Sequence, residues 1–262
     1  MDVLSSVYGF YDDWEKDKGY IGATEKGILI PFVAVRKTEY PTVLVQGAIH
    51  AREYITAYLI MLLSRSFDVF GKFGTVYFIP AVNLDGIKIA EKFCGSYKAN
   101  ARGVDLNVNF PAGFGNGAKN LRIRGTENYI GKRPFSERET QALRDFTLSV
   151  RPDVALSYHS KGEEIYFDFH QSGKRLERDK RIAKVIARET GYKIRPSGAS
   201  AGGYKDWCIE SLGISSFTVE VGEDDLSHPI GISEIYPIFL KNRGVISAIT
   251  EKLWKQNLCK RQ

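Results

Sequence analysis

Two apolar, β-branched runs in this chain lead into histidines, and that pattern restricts the fold more than any other feature. Thr42-Val43-Leu44-Val45-Gln46 reads as a buried strand, and the turn Gly47-Ala48-Ile49-His50 follows at its carboxyl end. Val154-Ala155-Leu156-Ser157-Tyr158-His159 reads as a second strand with its histidine last. A run that is apolar at nearly every position is covered on both faces, the condition of a central strand in a parallel sheet. In such sheets, sites form where the carboxyl ends of the strands meet loops, and both histidines lie there.

The other periodicities fill in the layers. Residues 28–35, 75–80 and 216–221 read as further strands. Ile55, Leu59, Leu62 and Leu63 fall at helical spacing and predict a helix over 53–66. Ser136 and Glu139 have the spacing of a capping box, with Ser136 as N-cap of a helix running to about residue 150. Helices are also predicted over 179–190 and 204–212, and a closing helix over 235–254. Strands alternating with helices predict an α/β fold, a mainly parallel sheet covered by helices on both faces. Residues 94–135 break this rhythm, being rich in Gly, Asn, Lys and Arg, and a loop-rich stretch of that length is usually functional. The chain has 262 residues and no Pro/Gly/Ser linker, repeat or low-complexity tract, so it reads as a single domain over 1–262.

Composition excludes several classes. The balance of 43% hydrophobic and 26% charged residues is that of a soluble globular protein. No apolar run approaches the roughly 20 residues of a membrane span. Residues 1–12 lack the basic-then-apolar order of a signal peptide, which predicts a cytoplasmic protein. Three cysteines (Cys94, Cys208 and Cys259) are too few and too odd in number for a disulfide framework, and none forms a CxxC pair, so all three read as free thiols. The net charge of +6 is scattered, without a basic run interleaved with aromatics. Nucleic acid is therefore not the expected partner, and an acidic substrate fits the charge.

His50 and Glu53 stand three residues apart at a predicted helix start, and His159 ends a strand of the same sheet. Two imidazoles and one carboxylate are the ligands of a catalytic zinc site that keeps one position open for water. Each histidine alone fits an ordinary structural residue, and the weight lies in the combination, since the chain has only four histidines. His170 and His228 are not needed as ligands. Glu220 lies within Phe217-Thr218-Val219-Glu220-Val221, where a carboxylate is costly to bury without a partner or a function. A hydrolytic metal site needs a general base, and Glu220 is the candidate.

In chain order, His50-x-x-Glu53, the Asn-x-x-Gly-Val-Asp-Leu-Asn segment at 100–107, Tyr158-His159 and Thr218-Val219-Glu220-Val221 resemble the zinc metallocarboxypeptidases of the carboxypeptidase A type. The likeness runs over nearly the whole chain. Ser157-Tyr158-His159-Ser160-Lys161-Gly162-Glu163-Glu164-Ile165-Tyr166, Gly203-Tyr204-Lys205-Asp206-Trp207 and Asp225-Leu226-Ser227-His228-Pro229 are similar to a bacterial branch that cleaves γ-D-glutamyl-diamino-acid bonds in peptidoglycan peptides. The resemblance implies a mixed sheet of about eight strands between helices. It implies one zinc ion on His50, Glu53 and His159, with Glu220 taking a proton from water and later protonating the leaving amine. It also implies a cation that stabilises the oxyanion: Lys98 stands where many relatives have arginine, and Arg102 lies close by. Arg122 and Arg124 are further basic candidates. Asn107 retains half of a substrate-carboxylate grip, and Tyr204 is a candidate phenol donor to substrate. One departure is plain: the arginine expected after Asn107 is Val108, and a valine cannot form a bidentate ion pair. The implied substrate is a small acidic muropeptide, with meso-diaminopimelate or lysine beyond the γ-D-glutamyl bond. The alternatives are another metallocarboxypeptidase, an N-acyl amino acid amidohydrolase, or a zinc-bearing muropeptide-binding protein with weakened catalysis.

Overall fold

Four parallel strands form the centre of the sheet in the computed structural model, which describes residues 2–93 and 95–261. They are β4 (Thr75–Ile79), β3 (Thr42–Gly47), β5 (Val154–Ser160) and β8 (Ser215–Val221). On one side the antiparallel strands β2 (Leu29–Arg36) and β1 (Lys18–Ala23) extend them. On the other side are the short strands β6 (Glu164–Tyr166), antiparallel to β8, and β7 (Lys193–Arg195). The resulting order is β1-β2-β4-β3-β5-β8-β6-β7, an eight-stranded mixed sheet as the family resemblance implies.

The faces of the central strands decide where core gives way to cavity. Val43, Val45, Leu156, Tyr158, Phe217 and Val219 point to one face, into a core shared with Leu59, Leu63 and Phe67 of α2 (Ile55–Phe70). Ile182 and Ile186 of α5 (Gly173–Thr190) and Ile246 and Ile249 of α8 (Val245–Arg261) complete that core. Successive side chains alternate, so Leu44 and Gln46, Ala155, Ser157 and His159, and Ser216, Thr218 and Glu220 share the opposite face. This second face is apolar at first: Leu44 and Ala155 join a core with Leu143 of α4 (Arg138–Val150) and Trp207 of α6 (Tyr204–Leu212). Toward the carboxyl ends it turns polar, with Gln46 in register with Ser157, and His159 with Glu220.

Helices α1 (Val3–Asp12), α3 (Leu84–Lys92) and α7 (Ile235–Asn242) complete the layers. The predicted closing helix is in fact two, α7 and α8. The break falls at Arg243 and Gly244, between the two helices. Cys208 is a buried free thiol and Cys259 an exposed one. Cys94 lies outside the described residues.

The predicted capping box does not form. Glu137, not Ser136, is the N-cap of α4, without a side-chain cap bond. The Ser136 hydroxyl accepts from Asn109 Nδ2 at 3.0 Å and donates to Glu137 Oε1 at 2.5 Å, so it is already engaged. Glu139 is instead fully buried, accepting from the Glu25 amide at 3.2 Å and from Asn100 Nδ2 at 3.3 Å. Burial pushes its carboxyl up to about 7 from an ordinary 4.5. A folded-state value above the unfolded one means that the native state holds the proton more tightly. Stability from this group is therefore present below pH 4.5 and is lost as pH rises toward about 7. Glu139→Gln removes that slope. Between pH 4.5 and 8 the native protein should lose about 3 kcal/mol relative to the variant in urea unfolding, because a tenfold difference in proton affinity between the two states is worth about 1.4 kcal/mol.

Candidate active site

The turn after β3 is clamped by the helix it feeds. A Cβ on Gly47 would meet Ile60 Cδ1 at 2.6 Å, so only glycine lets the strand run this close to α2. The Ala48 amide donates to Thr56 Oγ1 at 2.8 Å, and the Ala51 amide to the Lys98 carbonyl at 2.9 Å. Between these anchors lies His50, followed by a single 3-10 turn, Ala51–Glu53, rather than the start of the predicted helix. The turn brings the Glu53 carboxylate back beneath the His50 ring.

His50, Glu53 and His159 meet. His50 Nδ1 lies 2.8 Å from Glu53 Oε1, His159 Nδ1 lies 2.9 Å from Glu53 Oε2, and the two ring nitrogens are 3.2 Å apart. All three residues are buried, and their ligand atoms lie within 4.8 Å of one another. Among the described residues no other three His, Cys, Asp or Glu side chains converge in this way. The residues behind them fit a metal as well. His50 Nε2 faces Asp105 Oδ1 at 3.1 Å, and His159 Nε2 faces Ser157 Oγ at 3.1 Å, a hydroxyl that also accepts from Gln46. The Asp105 carboxylate behind His50 Nε2 can only accept, and so favours the tautomer that leaves Nδ1 unprotonated toward the shared point, as metal-ligating histidines require.

The electrostatics follow from this crowding. Burial opposes charge on His50, yet Glu53 and Asp105 outweigh it and raise the imidazole to about 9. Burial likewise opposes ionisation of Asp105, but Lys98, 2.7 Å from Oδ2, and His50 hold its carboxyl well below the usual range. Glu220 moves the other way. Burial, then the negative charge of Glu53, pushes its carboxyl well above the usual range, and Glu164, its register partner on β6, adds to this.

A cavity of about 500 Å³ opens over these groups, with His50, Asp105 and Glu220 in its wall. Of the other residues singled out from sequence, Lys98, Asn107 and Val108 line it. Lys98 is held by Asp105 and donates to Asn128 Oδ1 at 2.9 Å. Asn107 accepts from the Tyr204 amide at 3.1 Å and turns its Nδ2 to 3.5 Å from His159 Nε2. Two of the expected residues stand elsewhere in the structure. Arg102 does not line the cavity, because its guanidinium lies 3.6 Å from Glu25 and 3.5 Å from Glu137, two carboxylates on the far side of the loop. Tyr204 is fully buried and shares a hydrogen bond of 3.0 Å with Thr147, so its phenol serves the core. Arg122, which stacks over Phe114 at 5.7 Å, and Arg124 are exposed and also stand off the cavity. His170 is exposed beside Glu210 at 3.4 Å, and neither it nor His228 joins the ligand group.

Four titratable wall residues are not candidates on sequence grounds: Asp105, Lys119, Tyr166 and Lys205. Asp105 carries a signal, an acid inside the Gly-Val-Asp-Leu-Asn segment. So does Lys205, a charge between Tyr204 and Trp207 on a helix start that is buried on every side. Lys119, in a glycine- and asparagine-rich loop, carries none.

Comparison with known proteins agrees with this geometry. A family model described as zinc carboxypeptidase matches residues 20–254. The chain is 29% identical to γ-D-glutamyl-L-diamino acid endopeptidase 1 of Lysinibacillus sphaericus, over 78% of this chain and 59% of that protein. It is 27% identical to human carboxypeptidase B, over 78% of this chain and 57% of that one. The match thus spans less than two thirds of either relative. Bovine thrombin-activatable fibrinolysis inhibitor, solved in complex with tick carboxypeptidase inhibitor, shares the fold at a TM-score of 0.85 and 23% identity, covering 98% of each chain. The murein-tripeptide amidase MpaA of Escherichia coli O157 shares it at 0.67 and 20% identity, over 94% of this chain and 95% of that one. A family match across nearly the whole sheet, joined to two imidazoles and a carboxylate that converge on one point, leads to one conclusion: this chain belongs to the zinc carboxypeptidase family.

Proposed function

We propose that this chain is a zinc-dependent peptidase that hydrolyses an amide bond in small acidic peptides derived from peptidoglycan, preferring the bond between γ-D-glutamate and a diamino acid. The observation that carries this reading is the register of β5 and β8, which sets Glu220 beside His159 on the face that opens into the cavity. His50, Glu53 and His159 would hold the ion. When bound, zinc supplies positive charge that polarises a carbonyl and lowers the pKa of water toward neutrality. Glu220 accepts the proton of the attacking water and returns it to the departing amine, a role that its place in register with His159 at the cavity wall supports. Lys98 adds positive charge beside the ligands, and Asp105 holds the His50 ring in place. Asn107 offers its amide to the substrate.

Two relatives support the substrate class, one a γ-D-glutamyl-L-diamino acid endopeptidase and the other a murein-tripeptide amidase. A cavity wall that includes three lysines supports an acidic ligand. Cytoplasmic action belongs to the same proposal and is supported by the free thiols Cys208 and Cys259. Among the described residues no helix is long and apolar enough to cross a membrane.

The test is digestion of defined muropeptides by the zinc-loaded protein, read by mass spectrometry, beside a panel of N-acyl amino acids. Release of the diamino acid from γ-D-glutamyl peptides is expected. Cleavage of the N-acyl panel alone would move the assignment to an amidohydrolase, and tight binding without cleavage to a binding protein. Val108→Arg tests specificity within this reading. A guanidinium in the cavity wall should raise kcat/KM about tenfold for peptides with a free terminal carboxylate over their amides. An unchanged ratio would mean that Val108 does not face that carboxylate.

A further inference from the structure

We propose that Lys119 is the residue that receives a carboxylate of the substrate in this cavity. The inference rests on the peptidase reading above and extends it to a specificity-determining residue.

Three ammonium groups line the cavity: Lys98, Lys119 and Lys205. Two of them are committed. Lys98 sits 2.7 Å from Asp105 Oδ2 and donates to Asn128 Oδ1 at 2.9 Å. Lys205, only 6% exposed, donates to Asp206 Oδ1 at 2.6 Å, to the Asp168 carbonyl at 2.8 Å and to Ser197 Oγ at 3.1 Å. An ammonium has three N–H bonds, so Lys205 is saturated as well as neutralised. Lys119 is exposed, and its side chain has no ion pair or hydrogen bond among the described residues. Among the described residues it is the one lining lysine with both charge and donors to offer.

Its backbone, by contrast, is fixed. The Ala118 amide donates to the Ala199 carbonyl at 2.9 Å, the Asn120 amide to the Gly117 carbonyl at 2.9 Å, and Asn120 Nδ2 to the Ala201 carbonyl at 3.0 Å. Residues on both sides of Lys119 are thus tied to the loop that precedes α6. The same loop packs on Val108, since a Cβ on Gly202 would lie 3.0 Å from the Val108 carbonyl oxygen. Val108, Lys119 and residues 199–202 therefore form one wall, in which Val108 presents only methyl groups. A carboxylate entering there meets one uncommitted cation on an anchored stem. Pairing with Lys119 breaks no existing salt bridge, whereas pairing with Lys98 or Lys205 would compete with a buried carboxylate. A lysine is a mobile point charge rather than a rigid fork, so the resulting selectivity is for charge more than for exact placement.

The test uses a probe whose anchoring does not depend on the true substrate: 3-mercaptopropanoyl-alanine, with its C-terminal amide as the neutral control, titrated into zinc-loaded protein. The thiol takes the ion, and the two probes differ only in the carboxylate. The native protein should bind the acid about tenfold more tightly than the amide, a preference that shrinks with salt as an exposed pair must. Lys119→Ala should erase the preference, with amide affinity and zinc content unchanged. Lys119→Arg should keep it, and Val108→Arg in the Lys119→Ala background should restore it. A preference that survives in Lys119→Ala, or that is missing from the native protein, overturns the proposal. If the preference depends on Lys119 but no γ-D-glutamyl peptide is cleaved, the peptidoglycan reading falls and Lys119 stands.

Discussion

Replacing Glu220 with glutamine should lower kcat by about 10³- to 10⁴-fold while zinc content stays at that of the native protein. The substitution is isosteric. The Glu220 side chain makes no hydrogen bond among the described residues, so the amide breaks none. Burial and the neighbouring negative charge of Glu53 and Glu164 already disfavour the ionised carboxyl, and a neutral amide relieves that repulsion. The variant should therefore unfold at the same temperature as the native protein or slightly above it. Loss of turnover in a protein of undiminished stability and full metal content would isolate proton transfer as the missing step. Turnover within tenfold of native would remove Glu220 from that role and with it the central feature of the proposed mechanism.

Removal of the metal should have the second large effect. Chelation is expected to abolish hydrolysis and to lower the unfolding temperature, because an ion that binds only the folded chain stabilises it by mass action. With zinc at a thousand times its dissociation constant, that contribution is about 4 kcal/mol. For a chain of this size this corresponds to roughly 10 °C. His159→Ala should reproduce both losses with zinc in excess, since it deletes one of the three converging donors. Adding zinc back should restore the stripped native protein and not the variant. The readouts are differential scanning calorimetry and metal analysis. A stripped protein with an unshifted transition would mean that the ion contributes nothing to the fold.

The residues that are legible in the sequence are those whose environment is set by local pattern. β3, β5 and β8 are buried on both faces, and a largely apolar, β-branched run of that kind has few places to go other than the middle of a sheet. The ligands are legible because their side-chain types and their positions at strand ends carry chemical meaning without any loop geometry. β6 and β7, at three residues each, are too short for a period to emerge, and they owe their existence to pairing with β8 and with each other. Side-chain direction outside regular strands is not legible. Tyr204 follows two glycines, which suits a mobile donor, yet as the first residue of α6 it turns inward to Thr147. Arg102 is close to the site in sequence, but the turn formed by the Gly103 amide and the Asn100 carbonyl sends its guanidinium to Glu25 and Glu137. Ser136 and Glu139 have the spacing of a cap, but spacing does not show that Asn109 and Asn100 claim them.

The pairing of β5 with β8 carries an evolutionary consequence. A slip of one residue would point Glu220 at the opposite core and bring Val219 or Val221 beside the histidine, because alternation reverses every side chain at once. Any insertion or deletion that disturbs this pairing is thus lethal to folding and chemistry together. The wall that carries Lys119 belongs to connecting loops and can change length or charge without disturbing that pairing. Descendants of such a chain are free to exchange one diet for another while the reacting groups stay locked in the weave of the sheet.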